Sequence, residues 1–286
     1  MDASQERVFH YHADANALGG VLTHPYKTVI TTAASSSLAN AGGYNSSPTV
    51  PFRLEHVLSC KAAYTHTTGS EENGHWGTLT TAVVEGVNLL EVVTADKIVS
   101  QISTTHAKVG NQRTVSFVGS QFVGLRINGH SVEPVLDRHP FPPKPAARNV
   151  SSKNKSPFAG KAAKSEVSSF QHKDVRKLAA DQSRKVTGHT HAPDWTKHRY
   201  GWLESAEEID GRGHLLCSLV KEIRGGEPED TFGHVIHVPG FGNIFLAEVT
   251  LDQGSYHLTM IRAEMGCASS GTVSMATART NGRTMP

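Results

Sequence analysis

The chain alternates between two kinds of local pattern, and this alternation limits the folds it can adopt more than any other feature. Residues 79–137 and 234–276 consist of short runs with a period of two, separated by glycine and Asn-Gly turns. Such runs are typical of β-strands that bury one face. The intervening residues 138–200 are first rich in proline, lysine and serine and then follow a helical pattern. We therefore expect a β-domain interrupted by an insertion.

The charge of the chain is divided at the same places. Residues 138–200 contain 14 Lys and Arg against 4 Asp and Glu, a net charge of +10. The other residues contain 14 against 22, a net charge of −8, so the overall charge of +2 hides two parts of opposite sign. Opposite charges attract, and we expect the basic insertion to fold back onto the acidic β-domain.

The spacing of strands and turns predicts a mainly β fold, namely a β-sandwich or distorted barrel of about eight to twelve strands with a basic, partly helical insertion. Strand patterns stand on both sides of the insertion, so the β-domain is expected to be discontinuous. The predicted parts are 1–137 and 209–286 for the β-domain, 138–169 for a Pro/Lys/Ser-rich linker and 170–205 for short helices, the last two lying within the insertion 138–208.

Local signals add detail to this outline. Asn128-Gly129 predicts a tight hairpin, because both central residues of a type I′ turn need positive φ. Gly19-Gly20 predicts a turn between two short strands, and the Ala/Ser/Gly-rich residues 31–50 predict a loop. Within the insertion, Val175, Leu178 and Ala179 have the spacing of one helix face, which favours a helix there.

Cellular context is predicted from what the printed chain contains. The three cysteines, Cys60, Cys217 and Cys267, are an odd number without ligand-like spacing, which favours a reducing compartment over a disulfide framework. The first residues form no apolar signal segment, and no stretch reaches the roughly 18 apolar residues of a membrane helix. We expect a cytoplasmic protein without membrane contact, and a surface location stays open.

Two stretches of the chain form a recurring pattern. FVGLRINGHSVEPVLD at 122–137 contains a Gly-Leu-x-Ile-x-Gly hairpin, and HVIHVPGFGNIFLAEVTLD at 234–252 contains Val-Pro-Gly-x-Gly-x-Ile. With the strand pattern at 82–104, these stretches resemble the core of the bacterial choice-of-anchor P family over roughly a third of the chain. The resemblance implies a β-sandwich of uncharacterised function and carries no catalytic residues. The residues that fit the pattern are Gly124, Leu125, Ile127, Gly129, Pro239, Gly240, Gly242 and Ile244.

The 17 histidines make a metal site a hypothesis to test. On a strand, His10 and His12 would point to the same side together with Asp14, and zinc or another divalent metal accepts imidazole and carboxylate ligands. Two further groups of histidines are His189, His191 and His198 near Asp194, and His234 with His237. The alternative is that these are surface or half-buried histidines without a ligand.

The insertion allows two interpretations. Its lysines and arginines stand among Trp195, Tyr200 and Trp202, and bases with aromatics are typical of nucleic-acid binding. Alternatively, Trp195 and Trp202 are seven residues apart, share a helix face and dock the insertion onto the β-domain or a partner. No nucleic-acid-binding signature is present, which favours docking.

Catalytic motifs are absent from the sequence. It contains no nucleophile elbow, P-loop or dinucleotide fingerprint, and nothing in it brings acid pairs such as Glu248 and Glu264 together. We therefore expect a non-catalytic structural, binding or assembly β-module, either a homo-oligomer or the binder of a protein partner. The alternatives are a metal-dependent enzyme that uses His10, His12 and Asp14, and a nucleic-acid-binding protein that uses the basic insertion.

Overall fold

A computed structural model describes residues 8–109, 113–141, 173–226, 230–252 and 255–285. Strands account for 62% of it and helices for 14%, and two large antiparallel sheets pack against each other. The mainly β sandwich with a small helical insertion, predicted from the sequence, is confirmed. Most of the predicted linker, from 142 to 169, lies outside the described residues.

The described residues form nineteen strands, more than the eight to twelve expected, because short edge strands accompany the long ones. The long strands form hairpins whose faces alternate between buried and exposed residues. In chain order the strands are β1 (Val8–His24), β2 (Thr28–Ile30), β3 (Ser35–Ser37), β4 (Gly43–Ser46), β5 (Val50–Leu54), β6 (Leu58–Glu72), β7 (His75–Leu89), β8 (Val93–Ala107), β9 (Arg113–Ser116), β10 (Gln121–Val123), β11 (Arg126–Ile127), β12 (His130–Leu136), β13 (His214–Ser218), β14 (Val220–Gly225), β15 (Thr231–Phe232), β16 (Val235–Val238), β17 (Gly242–Asp252), β18 (Ser255–Gly266) and β19 (Ser270–Met285).

The strands are arranged in two sheets. The first has the order β15-β16-β17-β18-β19-β1-β2, with β13 also pairing with β17 and β3 with β1. The second has the order β14-β12-β11-β8-β7-β6-β4, with β9 and β10 pairing with β8 and β5 pairing with β6. Residues from both sheets contribute to one large buried apolar core, and a smaller core lies around Trp76 at one end.

Buried hydroxyl groups separate the two apolar cores. Along the inner face of β7, Thr78 and Thr80 lie between Trp76 of the small core and Ala82 of the large core. The hydroxyl of Thr78 is 2.5 Å from that of Thr104 in the second sheet and 2.6 Å from that of Thr280 in the first. These hydrogen bonds connect the sheets and satisfy polar groups that would be costly to bury alone.

The two long sides of the sandwich differ in how they are closed. On one side the chain passes from β13 to β14 through the buried residue Leu219, which donates its N–H to Ala247 in the first sheet and accepts from the N–H of Asp137, the residue after β12 of the second. We call this side, formed by β13 to β16 and by the helices of the insertion that pack against them, the covered side. The opposite side is formed by β2 to β5 and is called the open side. There the side chain of Asn45 donates to the carbonyl of Ser37, 2.8 Å away, across the two sheets.

Helices cover part of the first sheet. They are α1 (Lys173–Thr187), α2 (Asp194–Tyr200), a 3₁₀ turn (Gly201–Glu204) and α3 (Ala206–Arg212). The helix predicted from Val175 and Ala179 is confirmed, and both residues are buried. A further helix, α3, lies beyond the predicted end at 205, and Ser205 caps its N-terminus by accepting from the backbone N–H of Glu208. None of the helices in the described ranges is long and apolar enough to span a membrane.

Candidate functional site

The histidine pair predicted as metal ligands lies on the outer face of β1. His10 and His12 are exposed, whereas Phe9 before them and Tyr11 between them are buried, as the alternation of a strand requires. Within the described ranges, no group of three or more His, Cys, Asp or Glu side chains could hold a metal ion. His10, His12 and Asp14 therefore do not form a ligand set, and a zinc site there stays a prediction without structural support.

The other histidine groups make contacts within the protein. The ring of His189 packs edge-on against Phe232, with centroids 5.1 Å apart. His234 is buried, and its Nε2 lies 3.2 Å from the hydroxyl of Tyr200. His237 Nδ1 lies 2.9 Å from the side-chain oxygen of Asn243. These histidines fill structural positions in the fold.

Helix α1 is seated on β13, at the edge of the first sheet. Val175, Ala179 and Val186 recur along one face of the helix and are buried. On the same side, the amide of Gln182 donates to the carbonyl of Ser218 at 2.6 Å and accepts from its N–H at 2.7 Å. The amide of Gln182 thus pairs with the backbone N–H and carbonyl of Ser218 as a neighbouring strand would. Without it, the helix would bury these two groups unpaired.

The three aromatic residues singled out in the insertion all face the β-domain. Tyr200 is 1% exposed and Trp202 is 9% exposed, and Trp195 packs edge-on against Phe245 with centroids 5.8 Å apart. Trp202 does not share one helix with Trp195, because α2 ends at Tyr200 and a 3₁₀ turn follows. The buried rings of Tyr200 and Trp202 are not available to stack on nucleic-acid bases.

A buried ionic cluster lies where α2 meets the first sheet. Its centre is Glu248, whose Oε2 accepts from Arg262 Nε at 2.9 Å and from a terminal nitrogen of Arg262 at 2.6 Å. Its Oε1 accepts from the hydroxyl of Tyr200 at 2.9 Å and lies 3.7 Å from Arg199 and 3.6 Å from His234. We call these five residues the Glu248 cluster. It joins α2 to β17 and β18.

Two further residues complete the surroundings of the cluster. Arg199 and Arg262 both approach the carboxylate of Glu264, so each guanidinium contacts two acids. The same two guanidinium groups stand over the ring of Phe245, at 4.6 Å and 3.7 Å from its centroid. Phe245 is fully buried and places the guanidinium groups beside their carboxylates.

The electrostatics of the cluster favour a permanently charged carboxylate. Burial raises the pKa of Glu248, whereas the imidazole of His234 and the charges of Arg262 and Arg199 lower it, and the lowering prevails at about 2. Burial and the neighbouring Glu248 raise the pKa of Tyr200 well above its ordinary value. Both oxygens of Glu248 are occupied by donors of the chain itself, which suits a clamp between helix and sheet better than proton exchange with a substrate.

Sequence reasoning found parts of this cluster but not the whole. Glu248 and Glu264 stood out only as a pair of acids, while Arg262 was not singled out at all. Arg262 and Glu264 alternate on β18, which places both on one face, and this local signal was available. The convergence of Arg199 from α2 depends on tertiary contact, for which the sequence contains no signal.

The two stretches of recurring pattern meet in space. The hairpin predicted at Asn128-Gly129 is confirmed between β11 and β12, with φ angles of 51° and 81° at the two residues. It borders a pocket whose opposite wall is formed by His237, Val238 and Pro239 of the other stretch. Residues more than 100 positions apart in the chain therefore line one surface.

The chain was compared with curated proteins, solved structures and protein-family models. Neither the curated proteins nor the solved structures contain a match. One family model matches residues 9–252, which is most of the chain. The match includes the open side, the insertion and the Glu248 cluster except for Arg262, and the chain therefore belongs to the family described as a domain of unknown function, DUF8256.

Proposed function

We propose that the protein is non-catalytic and acts by contact, as a structural, binding or assembly β-module. The observation that carries this proposal is an exposed apolar patch on the open side. It consists of the cross-strand neighbours Val21 and Val29, 38% and 65% exposed, together with Tyr26, 78% exposed, in the connection between their strands. We call it the Val–Tyr patch. Exposed apolar groups that stand together mark surfaces at which another molecule binds.

The patch lies at the end of the first sheet. Val21 of β1 and Val29 of β2 are register partners, so their side chains stand next to each other on one face. Within the described residues β2 pairs only with β1, which leaves its other edge without a neighbouring strand. A second molecule can therefore reach both the apolar side chains and free backbone groups.

Side-chain contact is favoured over the addition of a long strand. Strand β2 has only three residues and follows Pro25 and Lys27, and such short edges with proline and lysine resist uncontrolled pairing. A second copy of this chain is the first partner to test, because the patch offers the same surface on each copy and self-complementary contacts generate closed dimers.

The competing functions receive less support. A metal-dependent enzyme would need ligands beyond His10, His12 and Asp14, and no such group is formed among the described residues. Nucleic-acid binding through the insertion would lose its stacking groups, since Tyr200 and Trp202 are buried. We also propose that this chain is related to the choice-of-anchor P proteins. The meeting of the two pattern stretches around one pocket supports this relationship.

Light scattering across a concentration series tests the proposal. We expect the wild-type mass to rise above that of the 30.8 kDa monomer as concentration increases. Val29→Lys should shift this rise to higher concentration, because it places a charge inside the patch. Val123→Lys is the matched control, since Val123 is 42% exposed on the second sheet and lies outside the patch. A strict monomer, or equal behaviour of the two variants, would refute self-assembly through this patch.

A further inference from the structure

The pocket between the two pattern stretches has the features of a small binding site. It lies where the β11–β12 hairpin of the second sheet faces β16 of the first, and its mouth is open to solvent, so the space of about 310 Å³ not filled by protein atoms includes solvent outside the pocket. Its walls include the side chains of Ile127, Val132, Ile236 and Val238, each at most 5% exposed. The body of a ligand bound here would therefore meet aliphatic groups.

The polar side chains of the pocket are a carboxylate, two imidazoles and an amide. Asp230 lines it and, within the described ranges, makes no hydrogen bond or ion pair. His237 Nδ1 lies 2.9 Å from the side-chain oxygen of Asn243, and in the tautomer that donates from Nδ1 to this oxygen the Nε2 is an acceptor. Asn128 adds an amide from the turn of the hairpin and His130 an imidazole from β12, and both groups can donate or accept. A ligand that fits these groups donates hydrogen bonds.

The charge of the lining defines the ligand further. Asp230 is the only carboxylate among the residues that line the described pocket, and neither lysine nor arginine is among them. Asp230 is half-buried beside aliphatic walls, which favours a cation, because an ion pair partly shielded from water is stronger than one in bulk solvent. An anion would meet the carboxylate of Asp230 with neither lysine nor arginine among the lining residues to offset it.

We propose that this pocket binds an organic monocation, that is, an ammonium or guanidinium group on a short aliphatic stem. Asp230 pairs with the cation, His237 accepts a hydrogen bond from it, and the aliphatic walls hold the stem. The same chemistry occurs in a free alkylamine and in a lysine or arginine side chain of a partner. The proposal is independent of self-assembly through the Val–Tyr patch, which lies elsewhere on the surface.

Isothermal titration calorimetry with matched probes tests the chemistry. Butylammonium and butylguanidinium should bind to the full chain, whereas butanol and butyrate, which keep the stem and lose the positive charge, should bind at least tenfold more weakly. Equal affinity for butanol and butylammonium would refute the role of charge. Absence of binding by both cations would overturn the proposal.

Variants assign the binding to this pocket. Asp230→Asn keeps the shape of the side chain and should weaken butylammonium binding at least tenfold. Asp194→Asn is the matched control, because the Asp194 side chain is 95% exposed on α2, and it should leave binding unchanged. Circular dichroism verifies that both variants fold. Unchanged affinity in Asp230→Asn would place the cation elsewhere and refute the site.

A final arm separates the two sources of the cation. Lysine and arginine capped at both ends carry the same head groups on a peptide unit. If they bind as tightly as the free amines, the pocket accepts a side chain of a partner protein. If they bind at least tenfold more weakly, the ligand is a free small amine, and the cation chemistry is supported in either case.

Discussion

The covered side and the open side of the sandwich use similar residue types in opposite ways. On the covered side, Tyr200 and Trp202 are buried and Glu248 is enclosed by charged partners. On the open side, Tyr26 and Tyr44 are 78% and 66% exposed on or beside short edge strands. The difference indicates that the aromatic and charged groups of the covered side hold parts of one chain together. The apolar groups of the open side are available to a second molecule.

The largest expected effect concerns two glutamates in comparable ion pairs. Glu248 and Arg262 are 6% and 15% exposed, whereas Glu85 and Lys97 on the second sheet are 37% and 36% exposed. Glu248→Ala leaves Arg262 buried with fewer partners and should reduce the free energy of unfolding by about 3–5 kcal/mol. Glu85→Ala should reduce it by about 0–1 kcal/mol, since exposed pairs contribute little. Urea denaturation measures both values.

Equal losses in these two variants would break the comparison. They would mean that burial of the Glu248 cluster adds no stability beyond that of a surface pair. A loss limited to Glu248→Ala, together with faster proteolysis of α1, would locate the effect at the contact between the insertion and the first sheet.

The second comparison concerns aromatic side chains on the two sides. Trp202 contacts His214 and Arg212, with its Nε1 donating to the carbonyl of Arg199 at 2.8 Å. Trp202→Ala should therefore lower the free energy of unfolding by about 3 kcal/mol, as expected for a large buried ring. Tyr26→Ala should change it by less than about 0.5 kcal/mol, because exposed side chains contribute little to folding. Thermal and urea unfolding of both variants check this, and comparable losses would contradict it.

These comparisons also show which features the sequence could predict. The hairpin at Asn128-Gly129 and the helix with Val175 and Ala179 were found, because turn chemistry and helical spacing are local. The turn predicted at Gly19-Gly20 was wrong, since β1 runs through it without interruption. A Cβ on Gly20 would stand 2.2 Å from the carbonyl oxygen of Thr272, so this glycine allows close approach of β19 instead of a turn.

Local sequence patterns also failed to predict the short strands of the open side and the Glu248 cluster. Residues 31–50 were predicted to be a loop, yet they include β3 and β4, which lack apolar alternation because β4 is exposed throughout and the one buried residue of β3 is a serine. The partners of Glu248 come from α2, from β18 and from the residue before β16. Their convergence follows from how the insertion seats on the sheet, which no local pattern encodes.

Acid should affect the covered side through Glu248. Its pKa is about 2 in the folded protein and near the ordinary 4.5 when the chain is unfolded. The unfolded state therefore binds the proton first, and the stabilisation by Glu248 is complete above pH 4.5 and is lost as pH falls towards about 2. The difference in unfolding free energy between wild type and Glu248→Gln should shrink over this range.

Because other groups also titrate in this pH range, the quantity to measure is the difference in unfolding free energy between wild type and Glu248→Gln. Burial, with a smaller effect of Arg113, lowers the pKa of His106 to about 3, so the whole protein already loses stability as pH falls below 6.5. His106 is present in wild type and in Glu248→Gln, and its contribution cancels in the comparison. A difference that stays constant from pH 6 to pH 2 would show that Glu248 is not the responsible acid.

The smallest expected effect is that of salt on the seating of the insertion. The opposite net charges of the two parts predicted attraction, but the contacts that seat the helices are buried aliphatic groups, the amide of Gln182 and the enclosed Glu248 cluster. Salt shortens the screening distance from about 10 Å at 0.1 M to about 3 Å at 1 M and acts mainly on exposed charges.

Trypsin cleavage after Lys177, which is exposed on α1, should therefore change less than about twofold between these salt concentrations, after correction for the activity of trypsin on a peptide standard. Trp202→Ala is the positive control and should accelerate cleavage at both concentrations. A large acceleration by salt in the wild-type protein would mean that long-range attraction between the basic insertion and the acidic β-domain holds the covered side closed. Burial would then not be what distinguishes it from the open side.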